Sequence, residues 1–273
     1  MRFDIYQVDA FTKNVFGGNP AAVCPLDDWL PDQVMQGIAV ENNLSETAFF
    51  VKEVDRYAIR WFSPTVEVNI CGHATIASAH VIFNELGHPT DRIDFHSHRT
   101  GALGAEKDGD RIILDFPAYA AMTVRESDAL IEQALGRVPL EVYETVNNGL
   151  MLRLESEQEV RDLNPDLEAV AALKYDRVYV TARGETCDFA SRMFAPKIGI
   201  PEDPVTGGMH CTLIPYWAEQ LGKTVMFARQ VSRRGGELYC EFAGQRVKIG
   251  GNAITYLTGE IDVEVEEEKS AAA

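Results

Sequence analysis

Two short segments share a pattern that chemistry could use. Cys71-Gly72-His73-Ala74-Thr75 and Thr206-Gly207-Gly208-Met209-His210 each place a glycine at the head of a helical run, reached through a proline-containing loop. A helix start offers unpaired N–H groups and a partial positive charge, and glycine lets an anion approach the backbone. If two such starts meet across a cleft, they form a site for a small carboxylate without any lysine. A group able to move protons stands earlier in the chain. Glu46 is a lone acid ahead of Thr47-Ala48-Phe49-Phe50-Val51. Apolar surroundings tune a carboxylic acid for proton transfer near neutrality.

Other chemistries lack their residues. There is no G-x-G-x-x-G after a strand and no G-x-S-x-G elbow, and Gly222-Lys223-Thr224 has Trp217 where a phosphate loop needs its first glycine. No H-E-x-x-H or Cys/His cluster has zinc spacing, and His96 and His98 have no nearby ligand to complete a site, so no metal is expected. The five cysteines are scattered and odd in number, which suits free thiols in a reducing compartment. The 273 residues carry 25 bases against 42 acids, a net charge of −17 that argues against nucleic acid. Neither a polybasic membrane surface nor a membrane-spanning apolar run is present, and Met1 to Val8 alternates like a strand rather than a signal peptide. A cytosolic protein is expected.

The elements that must position these groups occur twice. At an offset of 135, Gly72, Leu86 and Gly87 match Gly207, Leu221 and Gly222. Ser97, Arg99, Gly101, Leu103, Glu106, Gly109 and Arg111 match Ser232, Arg234, Gly236, Leu238, Glu241, Gly244 and Arg246. Upstream the offset is 132, where Arg60-Trp61-Phe62-Ser63-Pro64 matches Arg192-Met193-Phe194-Ala195-Pro196; the three added residues fall between Lys197 and Val205. Each half reads helix, strands, a glycine-headed helix (72–86 and 207–221) and a hairpin. The expected fold class is α+β: two pseudo-symmetric lobes, 1–117 and 118–260, each with a mixed or antiparallel sheet around a central helix. Residues 261–273 form an acidic tail, and Glu155 to Glu168 reads as an exposed helical face.

Six motifs then follow in order: Gly17-Gly18-Asn19-Pro20-Ala21-Ala22-Val23, Leu44-Ser45-Glu46-Thr47-Ala48-Phe49, Phe62-Ser63-Pro64, Cys71-Gly72-His73-Ala74-Thr75, Glu202-Asp203-Pro204-Val205-Thr206-Gly207 and Gly250-Gly251-Asn252-Ala253. Together they resemble the PhzF family of phenazine biosynthesis-like isomerases, with the fold of diaminopimelate epimerase, from Met1 to about Gly259. The resemblance implies a cofactor-free isomerase, working as a homodimer on a small, cyclic, carboxylate-bearing substrate. Matched motif to motif, Glu46 is the proton-moving residue, and His73 and Asp203 orient the substrate. Gly72, Gly207 and Gly208 supply backbone N–H groups, while Cys71 and Asn19 line the cleft, Asn19 in a structural or binding role. Epimerases of this fold use two opposed cysteines; here Thr206 faces Cys71, and a hydroxyl is too weakly acidic for that part. A cysteine-dependent epimerase and a non-catalytic small-acid binding protein are the alternatives. The chain departs from the family pattern at Gly208, where serine is usual, at Asn69, where an acid is usual, and at Met209 and His210, which replace small residues and are expected to reshape the pocket.

Overall fold

The computed structural model describes residues 1–120, 123–146 and 148–264. It is a mixed α/β fold, in which the strands of the described residues join one large hydrogen-bonded sheet with few helices against it. Two helices matter most, Gly72–His80 and Gly207–Leu221. Their buried faces carry Ala74, Ile76, Ala77 and Ala79 in the first and Leu213, Ile214, Tyr216 and Trp217 in the second. The alanines of the first helix let strands approach closely, while Trp217 stacks on Phe189 and donates its indole N–H to Thr181 Oγ1 at 2.9 Å. Burial of such large aromatics dominates core energetics.

The matched segments adopt matched structure. Gly87 and Gly222, which follow the two helices, both have left-handed backbones, as do Gly109 and Gly244 in the hairpin turns. Arg60 grips Glu67 with two bonds of 2.8 and 3.0 Å, and Arg192 grips Glu202 with bonds of 2.7 and 3.0 Å. The second strands of the two hairpins, Arg111–Pro117 and Arg246–Gly251, pair antiparallel with each other. The residues added in the second half form a 3₁₀ turn, Pro196–Ile198, closed by Gly199. Finally, the Arg2–Ala10 strand pairs antiparallel with Ala253–Asp262 on one side and with Asn19–Leu26 on the other.

Three expectations need correction. The first central helix does not run α-helical to Leu86: from Val81 to Glu85 it widens into a π-helix, with Leu86 N–H bonded to the Val81 carbonyl, and Leu86 is 46% exposed. The acidic stretch is not one exposed face, because two short helices, Glu157–Arg161 and Leu167–Ala172, split it and Glu157 is buried. Its carboxylate accepts from Arg161 and from the Glu185 N–H, so its charge is paired as burial requires. The Ala253–Asp262 strand carries the first residues of the acidic tail, and Arg2 pairs with Glu260 and Asp262. The remainder of the tail, 265–273, lies outside the described residues. The two halves also share one hydrogen-bonded sheet rather than one sheet each. All five cysteines are free, and among the described residues no helix is long and apolar enough to cross a membrane.

Candidate active site

Glu46 begins the strand Glu46–Lys52, which pairs in parallel with Asn19–Leu26. Its placement follows from the run behind it: Ala48, Phe49 and Phe50 are buried, so the strand is locked in register and the acid is held at its end. Parallel pairing also brings the beginnings of both strands to the same edge, with Ala21 opposite Glu46 and Asn19 two residues before Ala21. The turn that delivers Asn19 requires glycine. Gly18 has φ of +60°, and a side-chain carbon there would lie 2.0 Å from the Ala10 carbonyl oxygen. Arg234 clamps this turn by donating to the carbonyls of Gly17 and Gly18 while pairing with Asp9.

The two helix starts meet. A carbon added at Gly72 would lie 3.6 Å from the Gly207 Cα, and the reverse distance is the same. Neither preceding residue, Cys71 or Thr206, caps its helix with a side-chain bond. The first N–H groups therefore remain for a ligand to use. A cavity of about 460 Å³ opens over this junction, lined by Glu46, Cys71, Gly72, His73, Asp203, Gly207 and Gly208. Seven of the eight expected site residues thus converge on one cavity. Asn19 does not line it; it is fully buried one layer behind.

On one side stand Glu46, His73 and Cys71. Glu46 Oε2 lies 3.2 Å from His73 Nε2, and this oxygen is buried without an aligned hydrogen bond. Cys71 Sγ is 3.5 Å from His73 Nδ1. Burial opposes the His73 imidazolium, but the Cys71 sulfur and the Glu46 carboxylate outweigh it and raise the histidine above its ordinary value. Burial, helped by the Glu46 charge, pushes the Cys71 thiol up to about 11, so the sulfur is protonated and a poor base at neutral pH. These three side chains place their donor atoms within 4.8 Å of one another, the one such grouping among the described residues able to hold a metal ion. Sequence spacing did not flag it, because Glu46 is remote from the other two in the chain.

Asp203 stands on the other side. Its Oδ1 accepts from Asn19 Nδ2 at 2.8 Å, and its Oδ2 accepts from Thr206 Oγ1 at 2.5 Å. Burial pushes its carboxyl up to about 6 against the opposing pull of His73 and these two bonds. Asn19 Nδ2 also lies 2.9 Å from the Val205 carbonyl oxygen and 3.2 Å from His73 Nδ1, linking the acid side to the base side. Gln230 completes the frame: its amide donates to the Asp203 carbonyl at 2.8 Å, and its Oε1 accepts from the Thr206 N–H at 2.7 Å. No motif pointed to Gln230, nor to Arg177 and Tyr179, which line the cavity from a strand of the second half.

The departures divide. Asn69 lines the rim and accepts from Arg99, and Met209 lines the cavity. His210 does not reshape the pocket as expected. It is fully buried against Phe189, its ring N–H donates to the Thr206 carbonyl at 2.8 Å, and burial pushes its pKa down to about 4. Successive helical residues point about 100° apart, so Met209 reaches the cavity while His210 enters the core.

The family model described as phenazine biosynthesis-like protein matches residues 8–259. An uncharacterized isomerase of Pseudomonas aeruginosa is 51% identical over 261 residues, spanning 96% of this chain and 99% of its own length. The crystal structure of a PhzF-family phenazine biosynthesis protein from Enterococcus faecalis superposes with a TM-score of 0.91 at 45% identity, covering 96% of this chain and all of the other. A hydroxyproline epimerase from Agrobacterium vitis, at 10% identity and TM-score 0.58 over 95% of this chain and 92% of its own, shares the fold alone. The chain belongs to the phenazine biosynthesis-like PhzF family and is an enzyme of the isomerase type.

Proposed function

We propose that this protein is a cofactor-independent isomerase that moves a proton within a small, cyclic carboxylic acid, with Glu46 as the acid/base. The observation that carries the reading is the Glu46 carboxylate. It is a buried oxygen in the cavity wall, 3.2 Å from His73 Nε2, with no aligned hydrogen bond to occupy its lone pairs. The substrate carboxylate would sit at the joined helix starts, against the N–H groups of Gly72, Gly207 and Gly208. Glu46 would take a proton from one carbon and return it to another, leaving enzyme and proton count unchanged. His73, with its Nε2 3.2 Å away, positions the Glu46 carboxylate, and Asp203, protonated near and below pH 6, can donate to a substrate oxygen or nitrogen.

A cysteine epimerase reading fits less well. Cys71 holds its proton at neutral pH, and the opposed Thr206 hydroxyl is engaged by Asp203. We further read the fold as two pseudo-symmetric lobes meeting near Pro117, supported by the matched glycine turns and the matched Arg–Glu pairs. The homodimer implied by the family resemblance would appear in light scattering at twice the 30.3 kDa chain mass.

Deuterium incorporation tests the mechanism. In deuterated water, NMR with a panel of cyclohexadiene carboxylic acids and amino acids should show label entering a substrate carbon with the native protein but not with Glu46→Gln. Label that survives Glu46→Gln and vanishes in Cys71→Ser would overturn the proposal. Unchanged binding by Glu46→Gln, with no exchange under any ligand, would favour a non-catalytic binding protein.

A further inference from the structure

The cavity over the helix starts does not end at them. A second cavity of about 420 Å³ shares Ile70, Gly72 and Gly208 with the first. It lies between the Arg111–Pro117 strand and the start of the Gly207 helix, where the Tyr119 N–H bonds to the Cys211 carbonyl at 2.9 Å. Gly208 leaves the way between the two open: a side-chain carbon built there meets nothing within 4 Å. Leu103, Phe116 and Tyr119 supply apolar walls, with the Phe116 ring 3.9 Å from a carbon added at Gly72. Ile70, at the junction, is 43% exposed, an apolar surface that a ligand would cover. The charged groups of this second chamber cancel, since Arg246 bonds to Asp115 at 2.9 Å. A charged extension would find no free counter-ion in that pair, whereas a neutral apolar one would find three hydrophobic side chains.

We propose that this second chamber is a substrate subsite that receives a neutral aryl or branched apolar extension, so that the natural substrate is a cyclic carboxylate bearing such a group. The inference rests on the reading above only for where the carboxylate sits. A ligand anchored at the joined helix starts reaches the chamber past Gly208, alongside Ile70. Leu103, Phe116 and Tyr119 are then specificity-determining residues that touch the extension and not the reacting carbons.

Binding decides this without any turnover. Isothermal titration of the full chain with benzoate and with 4-biphenylcarboxylate should show the longer acid binding at least tenfold tighter. Cross-relaxation NMR should place its distal ring against Phe116 and Tyr119 protons. Leu103→Trp and Ala102→Trp, the second at an exposed position, should remove most of that advantage while leaving benzoate affinity within about twofold, about 0.4 kcal/mol. Circular dichroism would confirm that both variants are folded. Equal affinity for the two acids, a longer acid unaffected by either variant, or absence of binding by both acids would each overturn the proposal. These outcomes stand apart from the fate of Glu46, which deuterium exchange reads and these titrations do not.

Discussion

At the start of the Gly72 helix the flanking side chains are Cys71 and His73, and Glu46 leans in from a neighbouring strand. At the start of the Gly207 helix the same places hold Thr206 and Gly208, and the nearby acid is Asp203, fixed by Asn19 and Thr206. The supports behind the two starts remain alike: each has an arginine doubly bonded to a glutamate, with the guanidinium over a phenylalanine, Phe62 in one and Phe194 in the other. Other matched residues have separated in use. Arg99 holds the rim through Glu67 and Asn69, whereas its counterpart Arg234 holds the Gly17–Gly18 turn. The matched segments thus keep their supporting Arg–Glu pairs while their cavity-facing side chains differ. The loosely held acid sits on one side, the firmly held acid on the other.

That division can be broken experimentally. Glu46→Gln should lower kcat by about 10²–10⁴, the usual contribution of a positioned acid/base. Asp203→Asn should cost less and act more on KM; an equal loss of kcat from both would erase the distinction between the two sides. The next effect is on stability. The folded Asp203 titrates at about 6 against 3.8 for the ordinary carboxyl, so the folded protein holds more protons between those values. The contribution of Asp203 to stability, up to about 3 kcal/mol, should be full below about pH 4 and be lost as the pH rises through about 6. In Asp203→Asn this part of the slope should vanish, as urea melts from pH 3.5 to 7.5 would show. Thr206→Val removes one hydrogen bond to Asp203 and should cost about 1 kcal/mol in the same melts. It should also raise the Asp203 titration further. Smallest of all is Cys71→Ser, expected to leave deuterium incorporation almost unchanged; a large loss would shift the chemistry to the sulfur.

Much of this arrangement was readable from residue types. Glycine at 72 and 207 marked both helix starts, and Glu46 ahead of an apolar run marked the strand end, because helix signals and burial patterns are local. What stayed hidden depends on contacts distant in the chain. Gln230 bridges Asp203 and Thr206 from a different strand, and nothing near it in sequence announces this. The buried Glu157 looked exposed because its partners, the Glu185 N–H and Arg161, are visible only once folded. His210 adjoins Met209 in sequence yet occupies another helix face, a distinction that needs the helix's rotational position in the fold. The π-turn after His80 likewise leaves no compositional trace.

The pairing of Arg2–Ala10 with Ala253–Asp262 has a consequence for how the protein is made. The Arg2–Ala10 strand gains one neighbour, Asn19–Leu26, early, but must wait for some 250 residues of further synthesis before its other edge is covered. Contacts that distant close slowly, and an uncovered edge invites pairing with another chain. On the ribosome the nascent protein therefore carries an open sheet edge until Ala253–Asp262 emerges. A circular permutant that joins these two strands in sequence and opens a loop elsewhere should fold faster and aggregate less.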